Sequence, residues 1–326
     1  MTTPERIPAL DSAKGLAIVG VLFVHMAFTS RFDAATLASI QTLRQIFAWC
    51  VLAFFFASGF LHRGKNPAIE NWTDFVKSRA RRLLVPCLAF SWGYKLALLA
   101  GASFGVVAPA PFQWPLTPAS IFREAFTPAA PQFYFLVHLF IVAVAVHSLL
   151  RSRIFEREIA PWLLAAILVQ GYWLLPLDRP HGEELSHLPL YATAYLIGML
   201  SAHPADRSHR ARMERWAGAI LLGASCVSIA VFRPQVLHVA IPVLLLQVAM
   251  RLPARIQSPC TFLGRHSGAI YAWHTPIVMP VLSVLLTKTP LTGWPLILSM
   301  TIATLGISLL LSSLVRPLDR LGLFRL

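Results

Sequence analysis

The stretch Ile7 to Phe28, IPALDSAKGLAIVGVLFVHMAF, decides how the rest of the chain is read. It opens polar, carries Asp11 and Lys14, and turns apolar from Leu16 onward apart from one ionisable residue, His25. At about 100° and about 1.5 Å per residue, Lys14 and His25 point within about 20° of each other around a helix axis and lie about 16 Å apart along it. Asp11 falls within about 40° of the same face. One helix face therefore carries an acid and a base at its mouth and an imidazole well inside. An imidazole within a membrane helix is costly unless it is paired or hydrated, which makes His25 a functional candidate. The plainer alternative is a histidine hydrogen-bonded between helices for structural reasons.

The whole chain agrees with a membrane setting for this stretch. Its 326 residues are 56% hydrophobic and 13% charged, with a mean hydropathy of +0.64, whereas soluble domains carry about 25% charged residues. Spans of about 20 apolar residues leave room for about ten and little else, so the expected fold is an all-α, polytopic membrane helix bundle forming a single domain over 1–326. The first apolar run follows Asp11 and Lys14 and has no small-residue cleavage site after it, so it is expected to be retained as the first span.

Apolar runs place the spans near 12–30, 44–61, 83–101, 132–150, 160–177, 187–202, 215–231, 235–250, 262–286 and 295–315. Most of the 28 Lys and Arg residues then fall in alternate connections. One such connection holds Lys77, Arg79, Arg81 and Arg82, and another holds Arg207, Arg210, Arg212 and Arg215. That alternation predicts cytoplasmic N- and C-termini. It also accounts for the net charge of +14 as a topology signal, so no nucleic-acid partner is expected; the lipid bilayer is. The four cysteines, Cys50, Cys87, Cys226 and Cys260, show no CxxC spacing and read as buried thiols.

Two outer connections stand apart. Residues 102–131 are rich in Pro and aromatics, including Pro109, Trp114 and Pro128; a loop of that length is often functional, and a passive cover is the equal alternative. The segment 178–187, DRPHGEELSH, holds Asp178, His181, Glu183, Glu184 and His187, but its spacing fits no metal site, and no metal is expected.

Four more stretches hold candidate chemistry. In FVKSRARRLLVP, Arg79 and Arg82 are i, i+3 and share a helix face that suits phosphate; the alternative is a basic flank touching anionic lipid. In FFFASGF, Ser58 and Gly59 permit close approach of a helix or a ligand. In FYFLVH, Tyr134 and His138 lie one turn apart, and in LGRHSGAIYAWHTP so do Tyr271 and His274. Ser58, Tyr134, His138, Tyr271 and His274 are candidates for substrate binding, with structural packing as the alternative for each. No GxGxxG, Walker loop, G-x-S-x-G or HExxH occurs, so soluble enzyme classes find no support.

Taken in order, these stretches resemble the family-3 membrane acyltransferases, bacterial inner-membrane proteins that O-acylate glycans. The first stretch is similar to the family's leucine-aspartate, basic-glycine, then histidine pattern, here Asp11, Lys14 and His25; FFFASGF, FVKSRARRLLVP, FYFLVHLF and LGRHSGAIYAWHTP follow in family order. The chain departs from the pattern at Lys14, where the family usually has arginine; lysine keeps the charge and lacks the planar fork. It also has Val137 and His138 where many members have acidic residues.

The resemblance implies acyl-CoA, often acetyl-CoA, as donor and a carbohydrate or glycan hydroxyl as acceptor. In that reading Arg79, Arg82 and Lys14 meet the CoA phosphates, and His25 acts as base, with Asp11 and Lys14 at the mouth of its helix. Ser58 and Tyr271 are candidate donors to the thioester carbonyl. The competing class is a proton-coupled transporter or flippase of a polar lipid or sugar, using His25 and His274 as proton sites; no inverted repeat is visible in its favour. A third class, a non-catalytic membrane scaffold, makes Lys14 and His25 structural only.

Overall fold

The computed structural model describes residues 7–26, 32–63, 71–103, 117–119, 133–151, 159–174, 186–202, 209–286 and 288–315. Most of the Pro-rich connection 102–131 and of the polar segment 178–187 lies outside the described residues. Among the described residues the regular elements are all helical. In chain order they are α1 (Pro8–Met26), α2 (Ala34–Ile46), α3 (Cys50–Arg63), α4 (Trp72–Ser103), α5 (Tyr134–Leu150), α6 (Ala160–Leu174), α7 (Leu188–Ala202) and α8 (His209–Ala230). A 3₁₀ segment (Pro234–Ala240) leads into α9 (Ile241–Arg251), followed by α10 (Ala254–Arg265) and α11 (Ser267–Trp273). A π turn (His274–Val278), α12 (Met279–Leu286) and α13 (Gly293–Val315) complete the series.

Four helical stretches among the described residues are long and apolar enough to cross a membrane: Pro8–Met26, Ala34–His62, Pro234–Arg251 and Gly293–Val315. Three shorter apolar helices, Tyr134–Leu150, Ala160–Tyr172 and Leu188–Ala202, fall below the length of a full span. Exposed Trp216, Ile220 and Val227 on α8, and Leu298, Ile302 and Leu310 on α13, give these helices the apolar outer faces that lipid contact requires. Two segments expected as connections are helical instead. Residues 34–46 form α2, started by Asp33, whose carboxylate accepts a hydrogen bond from the Thr36 backbone N–H at 2.9 Å. Residues 254–265 form α10, whose small residues are explained by what they pack against.

The chain divides into two compact units, each assembled from separate stretches. The first comprises Met1–Val21, Ile46–Val76 and Ile141–Arg265. Its centre is the close crossing of α3 and α7. A Cβ on Gly59 would collide with the Tyr195 carbonyl, and a Cβ on Gly198 would collide with the Phe56 carbonyl. Two glycines, one from each helix, thus bring the backbones together, and Phe55 stacks on Tyr191 with ring centroids 4.5 Å apart.

At one end of this crossing lies a buried polar chain. The Tyr195 hydroxyl is 2.7 Å from His62 Nδ1, and His62 Nε2 is 3.1 Å from His147 Nδ1; all three residues are fully buried. If the Tyr195 hydroxyl donates to His62, His62 Nε2–H donates to His147 Nδ1, so both bonds are satisfied in one direction. Phe75 covers the pair, stacking on His147 at 3.9 Å. Replacing His62 with leucine takes a hydrogen-bond partner from each of two buried polar groups, Tyr195 and His147. Unfolding of the purified protein in detergent is expected to show a loss of about 1–3 kcal/mol, with a lowered Tm.

The second unit comprises Leu22–Gln45, Lys77–Phe140 and His266–Leu326. Here α13 begins at Gly293, whose φ of 60° suits glycine. The Gly293 N–H donates to Thr36 Oγ1 at 2.7 Å, and Thr36 in turn donates to Asp33. One polar chain therefore fixes the starts of both α2 and α13. Within α4, Pro86 has no N–H to offer the Arg82 carbonyl four residues earlier, so the backbone ladder is interrupted beside the basic cluster.

Candidate functional site

The sequence stripe on α1 requires an unbroken helix, and α1 runs continuously from Pro8 to Met26. Its polar end belongs to the first unit. Lys14 Nζ lies 2.7 Å from Asp11 Oδ1, an i, i+3 pair on one face. Arg265 Nε lies 3.8 Å from Asp11 Oδ2. The Asp11 carboxylate is thus held between two cations, one from α1 and one from the end of α10. Arg265 was not singled out in the sequence, although it sits in the quoted LGRHSG run beside Gly264.

Glycines make that arrangement possible. A Cβ on Gly15 would strike the Cys260 carbonyl, and a Cβ on Gly264 would strike the Asp11 carbonyl. The two helices meet backbone to backbone, pinned by Ser12 Oγ and Thr261 Oγ1 at 2.8 Å. This contact explains Gly15 next to Lys14 and Gly264 next to Arg265: each glycine brings its neighbouring cation to the same carboxylate. A cavity of about 560 Å³ opens at this end, lined by Ile7, Pro8, Phe60, Gln247 and Gln257 among others. Its size is that of a small-ligand site.

The apolar end of α1 belongs to the second unit, and there His25 meets His274. The rings are 5.1 Å apart between centroids, inclined at 60°. His274 is fully buried. Its Nδ1 lies 2.7 Å from the Tyr271 carbonyl oxygen. A carbonyl can only accept, so Nδ1 carries the hydrogen and the neutral ring leaves Nε2 as a bare acceptor. That Nε2 is buried without a hydrogen-bond partner among the described residues. His274 also opens the π turn, a helix irregularity found often at functional sites.

Aromatic side chains wall this region. Tyr271 contacts Phe135 at 5.3 Å and Phe133 at 6.1 Å between centroids. Phe90 meets Trp273 edge to face at 5.2 Å. The FYFLVH and AIYAWH stretches, distant in sequence, are therefore neighbours. Tyr134 and His138 form their own ring pair at 5.3 Å, with His138 buried and Tyr134 half-buried. Arg79 and Arg82 lie in α4, one turn apart, half-buried and exposed respectively. Ser58 is half-buried in the first unit, beside the glycine that α7 covers.

The candidate residues thus resolve into an Asp11–Lys14–Arg265 cluster, a His25–His274–Tyr271 group, a Tyr134–His138 pair and an Arg79–Arg82 pair. The Tyr195–His62–His147 chain was not anticipated.

An acyltransferase domain model, that of the family-3 acyltransferases, matches residues 7–313, nearly the full length. The protein belongs to this family and is a membrane acyltransferase. No curated protein and no solved structure matches the chain.

Proposed function

We propose that the protein is an O-acyltransferase that moves an acyl group, acetyl in the simplest case, from acyl-CoA to a hydroxyl of a carbohydrate or glycan. The observation that carries the reading is the His25–His274 group: paired imidazoles inside apolar helices of an acyltransferase fold. In the reaction, the acceptor O–H passes its proton to His25 while its oxygen bonds to the thioester carbonyl carbon. The C–S bond then breaks, and the departing sulfur takes the proton from His25. Ester and free CoA are the products, and the histidine returns to its starting state.

The donor's phosphates meet Arg79 and Arg82, which share a face of α4 in the same unit as His25. Lys14 is held by Asp11, so the arginines carry more of this binding than Lys14 does. Tyr134, His138 and Tyr271, in the same unit as His25, are assigned to substrate contacts, and Ser58 stands as a separate candidate in the other unit. About ten spans with cytoplasmic termini in a bacterial inner membrane complete the proposal, supported by the alternation of loop charge. CoA then arrives from the cytoplasm and the glycan from the opposite side.

Purified protein given acetyl-CoA and a fraction of surface and lipid-linked glycans is expected to release free CoA thiol only when both are present. Exchange of labelled glycan across liposomes without any acyl donor, and no thiol release, would overturn the reading in favour of transport.

A further inference from the structure

His274 does more than line the site. Its Nδ1–H is committed to the Tyr271 carbonyl at 2.7 Å, so in the neutral ring Nε2 has only a lone pair to offer. That nitrogen is fully buried and has no hydrogen-bond partner among the described residues. A bare buried acceptor is costly, and it is tolerated at functional sites when a donor arrives during the reaction. The neighbouring group able to donate is His25: with hydrogen on the ring nitrogen that faces His274, its other nitrogen keeps the lone pair that takes the acceptor's proton.

The spacing suits that bond. Elsewhere in this protein, His62 and His147 are hydrogen-bonded at 3.1 Å with ring centroids 5.2 Å apart and planes inclined at 27°. His25 and His274 stand at 5.1 Å with planes at 60°. The separation is already that of a bonded imidazole pair, and rotation of a ring supplies the remaining alignment.

We propose that Tyr271 carbonyl, His274 and His25 form a positioning relay in which His274 Nε2 accepts the N–H of His25 as the His25 ring turns its other nitrogen to the acceptor hydroxyl. His274 is thus a positioning residue: it orients the base and stabilises the imidazolium that forms as the hydroxyl attacks. The proton it faces stays on His25 throughout, while the proton taken from the hydroxyl sits on the other ring nitrogen and passes to the departing sulfur, so the balance of the reaction is unchanged. The relay rests on the acyltransferase reading above and deepens it.

The test compares wild type, His274→Ala, His274→Gln, His25→Ala and the double variant His25→Ala/His274→Ala, with acetyl-CoA and the glycan fraction as probes. His274→Ala is expected to lower kcat by about 10–100-fold, less than His25→Ala, with KM for acetyl-CoA unchanged. His274→Gln, whose amide oxygen can accept the same N–H, recovers part of the rate. The double variant is expected to be no slower than His25→Ala alone, because residues acting as a unit are not additive.

Rates for the His274 variants equal to wild type, or losses that multiply in the double variant, overturn the relay while leaving the acyltransferase reading intact. A wild type that releases no CoA overturns the acyltransferase reading itself. ¹⁵N NMR of histidine-labelled protein, with the His274 signal assigned by its loss in His274→Gln, decides the premise without turnover. The hydrogen is expected on Nδ1, and a hydrogen on Nε2 overturns the relay even if His274→Ala fails to fold.

Discussion

Replacing His25 with alanine is expected to lower kcat by about 10²–10⁴-fold, the range for loss of a positioned acid–base group, with the protein still folded. The fold should survive because the substitution falls near the C-terminal end of α1. The contacts that hold that helix to α10 lie about three to four turns away, at Ser12 and Gly15. The loss should appear in kcat and leave KM for acetyl-CoA near its wild-type value, since the phosphates are assigned to Arg79 and Arg82. Steady-state thiol release, read beside the melting curve of the same preparation, checks both parts. A folded His25→Ala protein that turns over normally removes His25 as the base.

The second large effect is on folding. Gly264→Ala places a carbon where the Asp11 carbonyl already sits, and neither partner is a flexible side chain that can move aside. The helices must part, which strains the Ser12–Thr261 bond and shifts Arg265 away from Asp11. Overpacking of this kind costs about 1–3 kcal/mol, and backbone-on-backbone contact belongs at the top of that range or beyond it. Gly223, in α8, is the internal control. A Cβ there meets nothing within 4 Å, so Gly223→Ala is expected to be neutral or to stabilise by about 0.5–1 kcal/mol. Melting curves of the two variants in one detergent decide the matter: equal behaviour would mean that the α1–α10 crossing is looser than the structure shows.

Much of this was legible before any coordinates. The stripe of Asp11, Lys14 and His25 could be read because all three sit on one helix, where spacing alone fixes the face. Pro276 stands inside the apolar run 262–286 as a visible breaker, and the π turn at His274–Val278 falls there. What stayed hidden needed tertiary contact. Arg265 is 254 residues from Asp11, and nothing local to either marks the pairing. Gly59 was read as a place of close approach without saying by what, and the answer is the Tyr195 carbonyl on α7.

The His62–His147–Tyr195 chain joins residues from three largely apolar helices, each with several polar residues, and nothing local marks which of them meet. The start of α2 was missed for a different reason. AATLASIQTLRQI is too polar for the core of a span, and the Asp33 cap that starts it is a two-residue signal easily lost beside strong apolar runs.

The central claim is that this protein places an acyl group on a glycan through His25. The most direct measurement is mass spectrometry of surface and lipid-linked glycans from cells lacking the protein, cells carrying it, and cells carrying His25→Ala at equal membrane abundance. One glycan is expected to carry an acyl mass increment only in cells with the unaltered protein. Glycan masses identical in all three, or an increment that persists with His25→Ala, would contradict the claim.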